Sequence, residues 1–275
     1  MTENVYFGMD TASFLRGEIH CKFGLALTVL TAVLACARGL PAADTPKSEK
    51  FDSGGVQIHY LVAGQGQPVV LIHGLNASAE LNWNLPGVVA ELAKDHQVIA
   101  LDLRGHGRSD KPQGDDAYGL AVVEDVVRLL DHLHVQRAHV VGYSLGGMVA
   151  LKLMAEHPER VISGTLGGMG WLREGSGLAR IWERMPAREG SRTPPEFVQS
   201  IGKLAVTKDE LLAIRIPVKI IVGDRDPVQR LYVAPLKEIR SDWAIVEIAD
   251  AGHINCILKP QFREEIASWV RKNSR

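Results

Sequence analysis

The stretch Val140-Val141-Gly142-Tyr143-Ser144-Leu145-Gly146-Gly147 joins a β-branched apolar run to a segment of helical character. The valines are typical of a buried strand, and Met148 to Ala155 continues as a helix after the Gly-x-Ser-x-Gly turn. Gly142 and Gly146 lack Cβ atoms where such a strand and helix approach each other. Ser144 is therefore predicted to stand at the tip of a strand-to-helix turn, near the free N–H groups of the helix N-terminus. The alternative is a glycine-rich turn with a solvated serine.

Composition favours one large α/β domain. The chain has 275 residues, of which 46% are hydrophobic, so it can bury a large core. The net charge is −1 and no basic cluster stands out, so a nucleic-acid partner is not expected. Three cysteines, Cys21, Cys36 and Cys256, are too few for a disulfide framework, and no Cys/His spacing resembles a metal site. No metal is expected.

The first 43 residues differ from the rest of the chain. An uncharged run from Phe23 to Ala35 follows Lys22 and has the length of a signal-peptide core. Val33-Leu34-Ala35-Cys36 resembles a bacterial lipobox, in which the cysteine carries a lipid anchor. We therefore expect residues 1–43 to be an export segment of a periplasmic, secreted or lipid-anchored bacterial protein, and residues 44–50 to be a linker. A retained membrane anchor, or a helix folded onto the domain, is the alternative.

The domain is expected over residues 51–275 and begins with two predicted β-strands. Residues 55–63 alternate with period two, and residues 68–72 are wholly apolar, which predicts a half-exposed strand followed by a buried one. His73-Gly74-Leu75-Asn76 follows at the carboxyl end of the buried strand, the edge where ligands bind in open α/β sheets. The Leu75 N–H is a candidate oxyanion donor, whereas His73 is interpreted as a structural residue that holds the loop.

A charged loop, residues 102–110, follows the next predicted strand at the same edge. Its side chains include Asp102, Arg104 and His106, for which we favour an ordering role through internal Arg–carboxylate pairing over direct chemistry.

An insertion from Trp171 to Ala213 interrupts the alternation of strands and helices and is typical of a cap over the active edge. A plain surface loop is the alternative. Its apolar residues are separated by arginines and glutamates, so only a narrow apolar stripe can face a pocket. We predict Trp171 and Trp182 as pocket walls and Tyr143 as a third substrate-binding residue. The alternative for the two tryptophans is that they only pack the cap onto the sheet.

Three strand ends after residue 140 carry residue types suited to acyl transfer: Ser144, an aspartate in Asp224–Asp226, and His253. A serine hydroxyl is a poor nucleophile until an imidazole removes its proton, and a buried carboxylate must hold that imidazole in one tautomer.

These features together resemble the α/β-hydrolase superfamily over residues 51–272. The matching motifs, in the family's order, are His73-Gly74, the Asp102–Ser109 loop, the elbow around Ser144, Gly223–Asp226 and Gly252-His253. The resemblance implies an α/β-hydrolase fold with a mostly parallel eight-stranded sheet, flanking helices and a small cap over residues 171–213. It also implies Ser144, Asp226 and His253 as catalytic residues, an oxyanion hole formed by the N–H groups of Leu75 and Leu145, and no cofactor.

The resemblance implies a serine hydrolase that cleaves small-molecule carboxylic esters. The narrow apolar stripe of the cap predicts small or medium acyl groups rather than long chains. Haloalkane dehalogenases and epoxide hydrolases carry an aspartate at the elbow, where this chain has Ser144. Carbon–carbon bond cleavage, or other acyl hydrolysis, by the same residues remains open. A ligand-sensing receptor on this fold is the alternative of a different class.

Overall fold

The computed structural model describes residues 45–114, 116–185 and 193–274. The predicted export segment, with the expected lipid anchor at Cys36, lies outside these residues. Within the described ranges, no helix is both long and apolar enough to cross a membrane.

The described residues form eight strands, β1 (Lys47–Asp52), β2 (Gln57–Ala63), β3 (Gln67–Ile72), β4 (His96–Leu101), β5 (Ala138–Tyr143), β6 (Val161–Gly167), β7 (Val218–Gly223) and β8 (Ala244–Ile248). The strands belong to one sheet, in the order β1-β2-β4-β3-β5-β6-β7-β8. The first two strands run antiparallel to their neighbours, and the others are parallel to one another. This arrangement confirms the expected mostly parallel sheet.

Apolar layers cover both faces of the sheet. Along β3, Val70 and Ile72 join one buried cluster while Val69 and Leu71 join the other, because successive side chains of a strand point to opposite faces. A strand covered on both faces has to be apolar at every central position, as β3 is.

Helices follow the strands and supply the two layers. The first cluster includes buried residues of the helices over 121–132 and 145–156 and of the cap, and the second includes those of the helices over 88–92 and 260–273. The helices are α1 (Val88–Leu92), α2 (Ala121–His132), α3 (Leu145–Glu156), α4 (Gly177–Arg184), α5 (Pro195–Ser200), α6 (Lys208–Ala213), α7 (Ala234–Ile239) and α8 (Pro260–Asn273).

The predicted linker over residues 44–50 needs correction, because Lys47–Lys50 form most of β1. This edge strand pairs antiparallel with β2, and Lys50 lies opposite His59. Only Phe51 of the strand is buried. An edge strand held by backbone hydrogen bonds, with polar side chains on its exposed positions, lacks the apolar alternation on which the sequence prediction relied.

The described part of the cap contains α4, α5 and α6. A short parallel bridge between Arg173 and Val206 ties its beginning to its later half. A capping box starts α6, in which Thr207 and Glu210 satisfy each other's backbone N–H groups. The segment is thus a compact helical layer rather than an extended surface loop.

Buried histidines lie in and beside the sheet, and His139 on β5 is the clearest example. Its Nδ1 is 2.7 Å from Ser163 Oγ and its Nε2 is 3.1 Å from Gln67 Oε1. Burial, followed by the proximity of His96, lowers the pKa of His139 from 6.5 to about 4. The folded protein therefore keeps this ring neutral at mildly acidic pH.

We predict that His139 contributes to acid sensitivity. Between pH 6.5 and about 4 the unfolded chain binds a proton at His139 that the folded chain does not, so the free energy of unfolding should decrease as pH falls. In His139→Gln this decrease should be shallower, as measured by urea unfolding across that range.

The matched control is His134→Asn, which removes a histidine exposed to solvent in the folded state. In this control, the free energy of unfolding should decrease with falling pH as steeply as in the wild type. An equally steep decrease in His139→Gln and the wild type would contradict the prediction.

Candidate active site

The turn between β5 and α3 places Ser144 in an uncommon backbone conformation, with φ 52° and ψ −116°. Such a positive φ is rare for a residue with a side chain. A Cβ atom at Gly142 would collide with the carbonyl group of Gly146, and one at Gly146 would collide with that of Ile72. The two glycines therefore permit the close crossing of strand and helix that holds Ser144 in this conformation.

Ser144, His253 and Asp226 come together at the carboxyl edge of the sheet. His253 Nε2 lies 2.9 Å from Ser144 Oγ, and its Nδ1 lies 2.8 Å from Asp226 Oδ2. Because an ionised carboxylate only accepts, Nδ1–H donates to Asp226 and Nε2 is left to accept the serine hydroxyl hydrogen. The Asp226 side chain is fully buried, whereas that of His253 is 30% exposed. The imidazole thus joins a buried carboxylate to a serine at the cavity.

Asp224, the other aspartate of this loop, has a different position. Its carboxylate accepts the backbone N–H groups of Asp250 and Ala251, each at 3.0 Å. These hydrogen bonds, that from Ala251 first, lower the pKa of Asp224. Asp224 therefore fastens the segment that leads to His253, while Asp226 contacts the imidazole itself.

Tyr143 was predicted as a substrate-binding residue, and the structure corrects this. Its ring is buried and its hydroxyl donates to the His253 carbonyl oxygen at 2.5 Å. The ring also contacts Phe262 edge to face, with centroids 5.5 Å apart. Burial raises its pKa. Tyr143 points into the core because alternate residues of a strand face opposite sides, so it supports the His253 segment from behind.

Two backbone N–H groups, those of Leu75 and Leu145, belong to residues that line the cavity beside Ser144. Within the described ranges, neither donates to a protein acceptor. Leu145 is the first residue of α3, where backbone N–H groups lack helical partners. Free donors beside a serine hydroxyl are the arrangement that an oxyanion hole requires.

His73 holds the loop that carries Leu75. Its Nδ1–H donates to the Gly74 carbonyl oxygen at 2.7 Å, and its Nε2 accepts the Leu103 N–H at 3.0 Å. Burial lowers the pKa of His73, which keeps the ring neutral. These contacts agree with the structural role that the sequence predicts for His73.

The charged loop after β4 is ordered by a partner outside it. Arg104 makes a bidentate pair with buried Asp125 on α2, with both N–O distances 2.7 Å. The expected pairing within the loop is therefore wrong for Arg104, because α2 brings a carboxylate to it from 21 residues away. Asp102 instead accepts from the His59 ring and from the backbone N–H groups of Ala79 and Arg108.

A cavity of about 290 Å³ opens beside Ser144. Its described lining is mostly apolar and includes neither arginine nor lysine: Leu75, Asn76, Ser144, Leu145, Met148, Met169, Trp182, Val228, Tyr232 and His253. A larger depression of about 900 Å³ lies at the amino ends of the strands, among Gln67, Gln97 and Arg137, far from these residues in the fold. The smaller cavity holds the chemically competent side chains.

Of the two tryptophans that were predicted to line the pocket, only one does so in the structure. Trp182 on α4 lines the cavity. Trp171 is only 4% exposed, and its indole N–H donates to the Val206 carbonyl oxygen at 2.7 Å. The prediction for Trp171 is therefore wrong, since its ring packs the two halves of the cap together.

Five side chains of the lining were not predicted from the sequence. Asn76 follows β3, Met148 follows the elbow, Met169 follows β6, and Val228 and Tyr232 follow the loop of Asp226. All five come after a strand end, a position that could have signalled them. The residue types of the last four carry no such signal, because methionine, valine and tyrosine are equally common in a core.

No group of three His, Cys, Asp or Glu side chains is arranged to hold a metal ion in the part of the chain that the structure describes.

Comparison with known proteins identifies the family. A family model described as alpha/beta hydrolase fold matches residues 67–188. The 2-hydroxymuconate semialdehyde hydrolase of Pseudomonas sp. strain CF600 is 33% identical over 204 residues, which cover 72% of this chain and 70% of that protein. By these similarities the chain belongs to the α/β-hydrolase family.

Two further similarities concern a longer protein and a solved structure. The dihydrolipoyllysine-residue acetyltransferase component of the acetoin cleaving system of Pseudomonas putida is 32% identical over 71% of this chain, but the match spans only 52% of that protein. A meta-cleavage product hydrolase from Pseudomonas fluorescens IP01 is similar in structure, with a TM-score of 0.67, 24% identity, and coverage of 82% of this chain and 97% of the other. The structural similarity concerns the fold alone.

The geometry predicts that a fluorophosphonate will label one serine, Ser144. Attack by Oγ on phosphorus expels fluoride, and His253 takes the hydroxyl proton, so His253→Ala should slow labelling by at least about 100-fold. Peptide mass spectrometry locates the adduct.

Ser144→Ala should take up no label, whereas Ser268→Ala, which removes an exposed serine of α8, should be labelled at the wild-type rate. Wild-type labelling of His253→Ala would show that the imidazole does not activate the serine.

Proposed function

We propose that the protein is a serine hydrolase that cleaves carboxylic esters of small or medium acyl groups through Ser144, His253 and Asp226. The observation that carries the proposal is the continuous contact from Asp226 through His253 to Ser144, at 2.8 and 2.9 Å. The neighbouring free N–H groups of Leu75 and Leu145 complete what acyl transfer needs.

In the proposed reaction, Ser144 Oγ attacks the ester carbonyl carbon while its proton passes to His253 Nε2. The carbonyl oxygen becomes an oxyanion that the Leu75 and Leu145 N–H groups stabilise. The imidazolium, oriented by Asp226, then donates its proton to the leaving alcohol, which yields the acyl-enzyme. A water molecule activated by His253 hydrolyses this intermediate and restores the serine.

Cavity size supports the limit on acyl length. A volume of about 290 Å³ is at the lower end of ligand pockets, and it accepts a short chain beside the scissile bond. Each methylene that the cavity removes from water contributes about 0.8 kcal/mol to the binding free energy. A long acyl chain would extend beyond this cavity, so its outer methylenes add little.

Carbon–carbon bond hydrolysis is the second candidate, and the similarity to a 2-hydroxymuconate semialdehyde hydrolase favours it. A carbanion is a much poorer leaving group than an alkoxide, so a site for that reaction needs groups that stabilise the extra charge. The described lining contains no arginine or lysine for this purpose. On that ground we place ester hydrolysis first.

Purified protein assayed with p-nitrophenyl acetate and, separately, with 2-hydroxymuconate semialdehyde distinguishes the two candidates. We expect many turnovers on the ester and a much lower kcat/KM on the semialdehyde. The reverse preference would establish carbon–carbon cleavage. A single slow turnover on both would favour the ligand-sensing alternative.

We predict that Asp226→Asn lowers kcat by about 10⁴-fold, because the amide N–H favours the wrong imidazole tautomer. Asp224→Asn is the matched control in the same loop. It should lose stability through weaker bonds to Asp250 and Ala251 while keeping most of kcat. Near-wild-type activity in Asp226→Asn with loss in Asp224→Asn would reverse the assignment.

We also predict that kcat/KM for p-nitrophenyl esters peaks at a short or middle acyl length and falls for long chains. Trp182→Ala enlarges the cavity and should move the maximum toward longer acyl groups. Trp171→Phe, which loses a buried hydrogen bond outside the cavity, should lower stability without moving the maximum. A profile still rising at palmitate, or activation at a lipid interface, would contradict the prediction.

A further inference from the structure

Tyr232 occupies a rigid position in the cavity wall. It lies in a π-helical turn, Gln229–Val233, that begins three residues after Asp226. Its carbonyl oxygen accepts the Trp171 N–H at 2.9 Å, so the first residue of the cap fixes its backbone. The residue is 6% exposed and lines the same cavity as Ser144 and His253.

The Tyr232 hydroxyl has one hydrogen-bond partner among the described residues, and the direction of that hydrogen bond is fixed by chemistry. Trp182 Nε1 lies 3.3 Å from the hydroxyl oxygen, and an indole N–H can only donate. The tyrosine oxygen is therefore the acceptor. Its own hydrogen remains available, since it has no acceptor in the described part of the chain.

The surroundings make this donor significant. Five other lining side chains are apolar, namely Leu75, Leu145, Met148, Met169 and Val228. In the empty cavity a water molecule can accept from the hydroxyl. An apolar substrate group that displaces the water leaves the donor unpaired, at a cost, whereas an oxygen atom at the same place replaces the lost bond.

We propose that the Tyr232 hydroxyl is a specificity-determining donor that selects esters carrying a second oxygen acceptor, such as an ether or hydroxyl oxygen, within a few bonds of the scissile ester. The inference rests on the proposed ester hydrolysis and names the substrate class. Trp182 orients the donor by holding its oxygen, so the cap takes part in the selection.

Two pairs of substrates of equal shape test the proposal. On the acyl side, p-nitrophenyl methoxyacetate is compared with p-nitrophenyl butanoate, and on the alcohol side, 2-methoxyethyl acetate is compared with butyl acetate. Each pair exchanges one methylene for an oxygen. The readout is the ratio of kcat/KM values within a pair, wild type against Tyr232→Phe, because the intrinsic reactivity of each ester cancels in that comparison.

We expect Tyr232→Phe to lower the ether-to-methylene ratio about fivefold in at least one pair, the effect of one neutral hydrogen bond. Trp182→Phe, which removes the N–H donor to Tyr232, should lower the same ratio by a smaller factor. Tyr60→Phe is the matched control, since it removes the same atom from a buried tyrosine of β2 outside the cavity lining. Its ratios should equal those of the wild type.

The outcomes separate this inference from the proposed function. If the wild type turns over the butanoate and acetate esters but Tyr232→Phe leaves both ratios unchanged, the inference fails and ester hydrolysis stands. If the wild type turns over none of the four esters, the proposed function itself fails. Circular dichroism and the kcat/KM on p-nitrophenyl butanoate show whether Tyr232→Phe remains folded and competent.

Discussion

The close crossing of β5 and α3 is the constraint on which the site depends. Ser144 keeps a positive φ because the chain must turn from a buried strand into a helix within one residue. That turn exposes the serine at the sheet edge and directs the N-terminus of α3 toward it. Glycines at 142 and 146 are required because carbonyl groups occupy the space of any Cβ atom. The backbone strain at this residue is held by the packed layers on both sides of the sheet.

Three contacts fix the segment of His253. Asp226 contacts the imidazole, Tyr143 donates to the His253 carbonyl oxygen from the core, and Asp224 anchors the two residues before Gly252. These contacts link the ends of β5 and β7 to the same short loop. An imidazole that is held in this way needs little reorganisation when a proton moves, which is a general condition for efficient proton transfer.

The cap supplies one wall of the cavity. Here Trp182 faces the cavity and Trp171 joins the two halves of the cap, although both have the same residue type and lie in one insertion. The similar proteins are named for different activities, so the family by itself does not identify the substrate. In the proposed reaction, the substrate preference depends on side chains such as Tyr232 and Trp182. The export segment and its lipid anchor stay predictions.

The sequence by itself determined the fold class and the chemical character of the site. Apolar runs and turn glycines are local signals, because strand, turn and helix periods depend on neighbouring residues. The chain order of Ser144, Asp226 and His253 was informative because it resembles a known family pattern. The tertiary structure decided what depends on distant partners. The edge strand β1 is held by backbone pairing, and Arg104 finds its carboxylate on α2. Which aromatic ring faces the cavity follows from how the cap packs, and no local pattern encodes that choice.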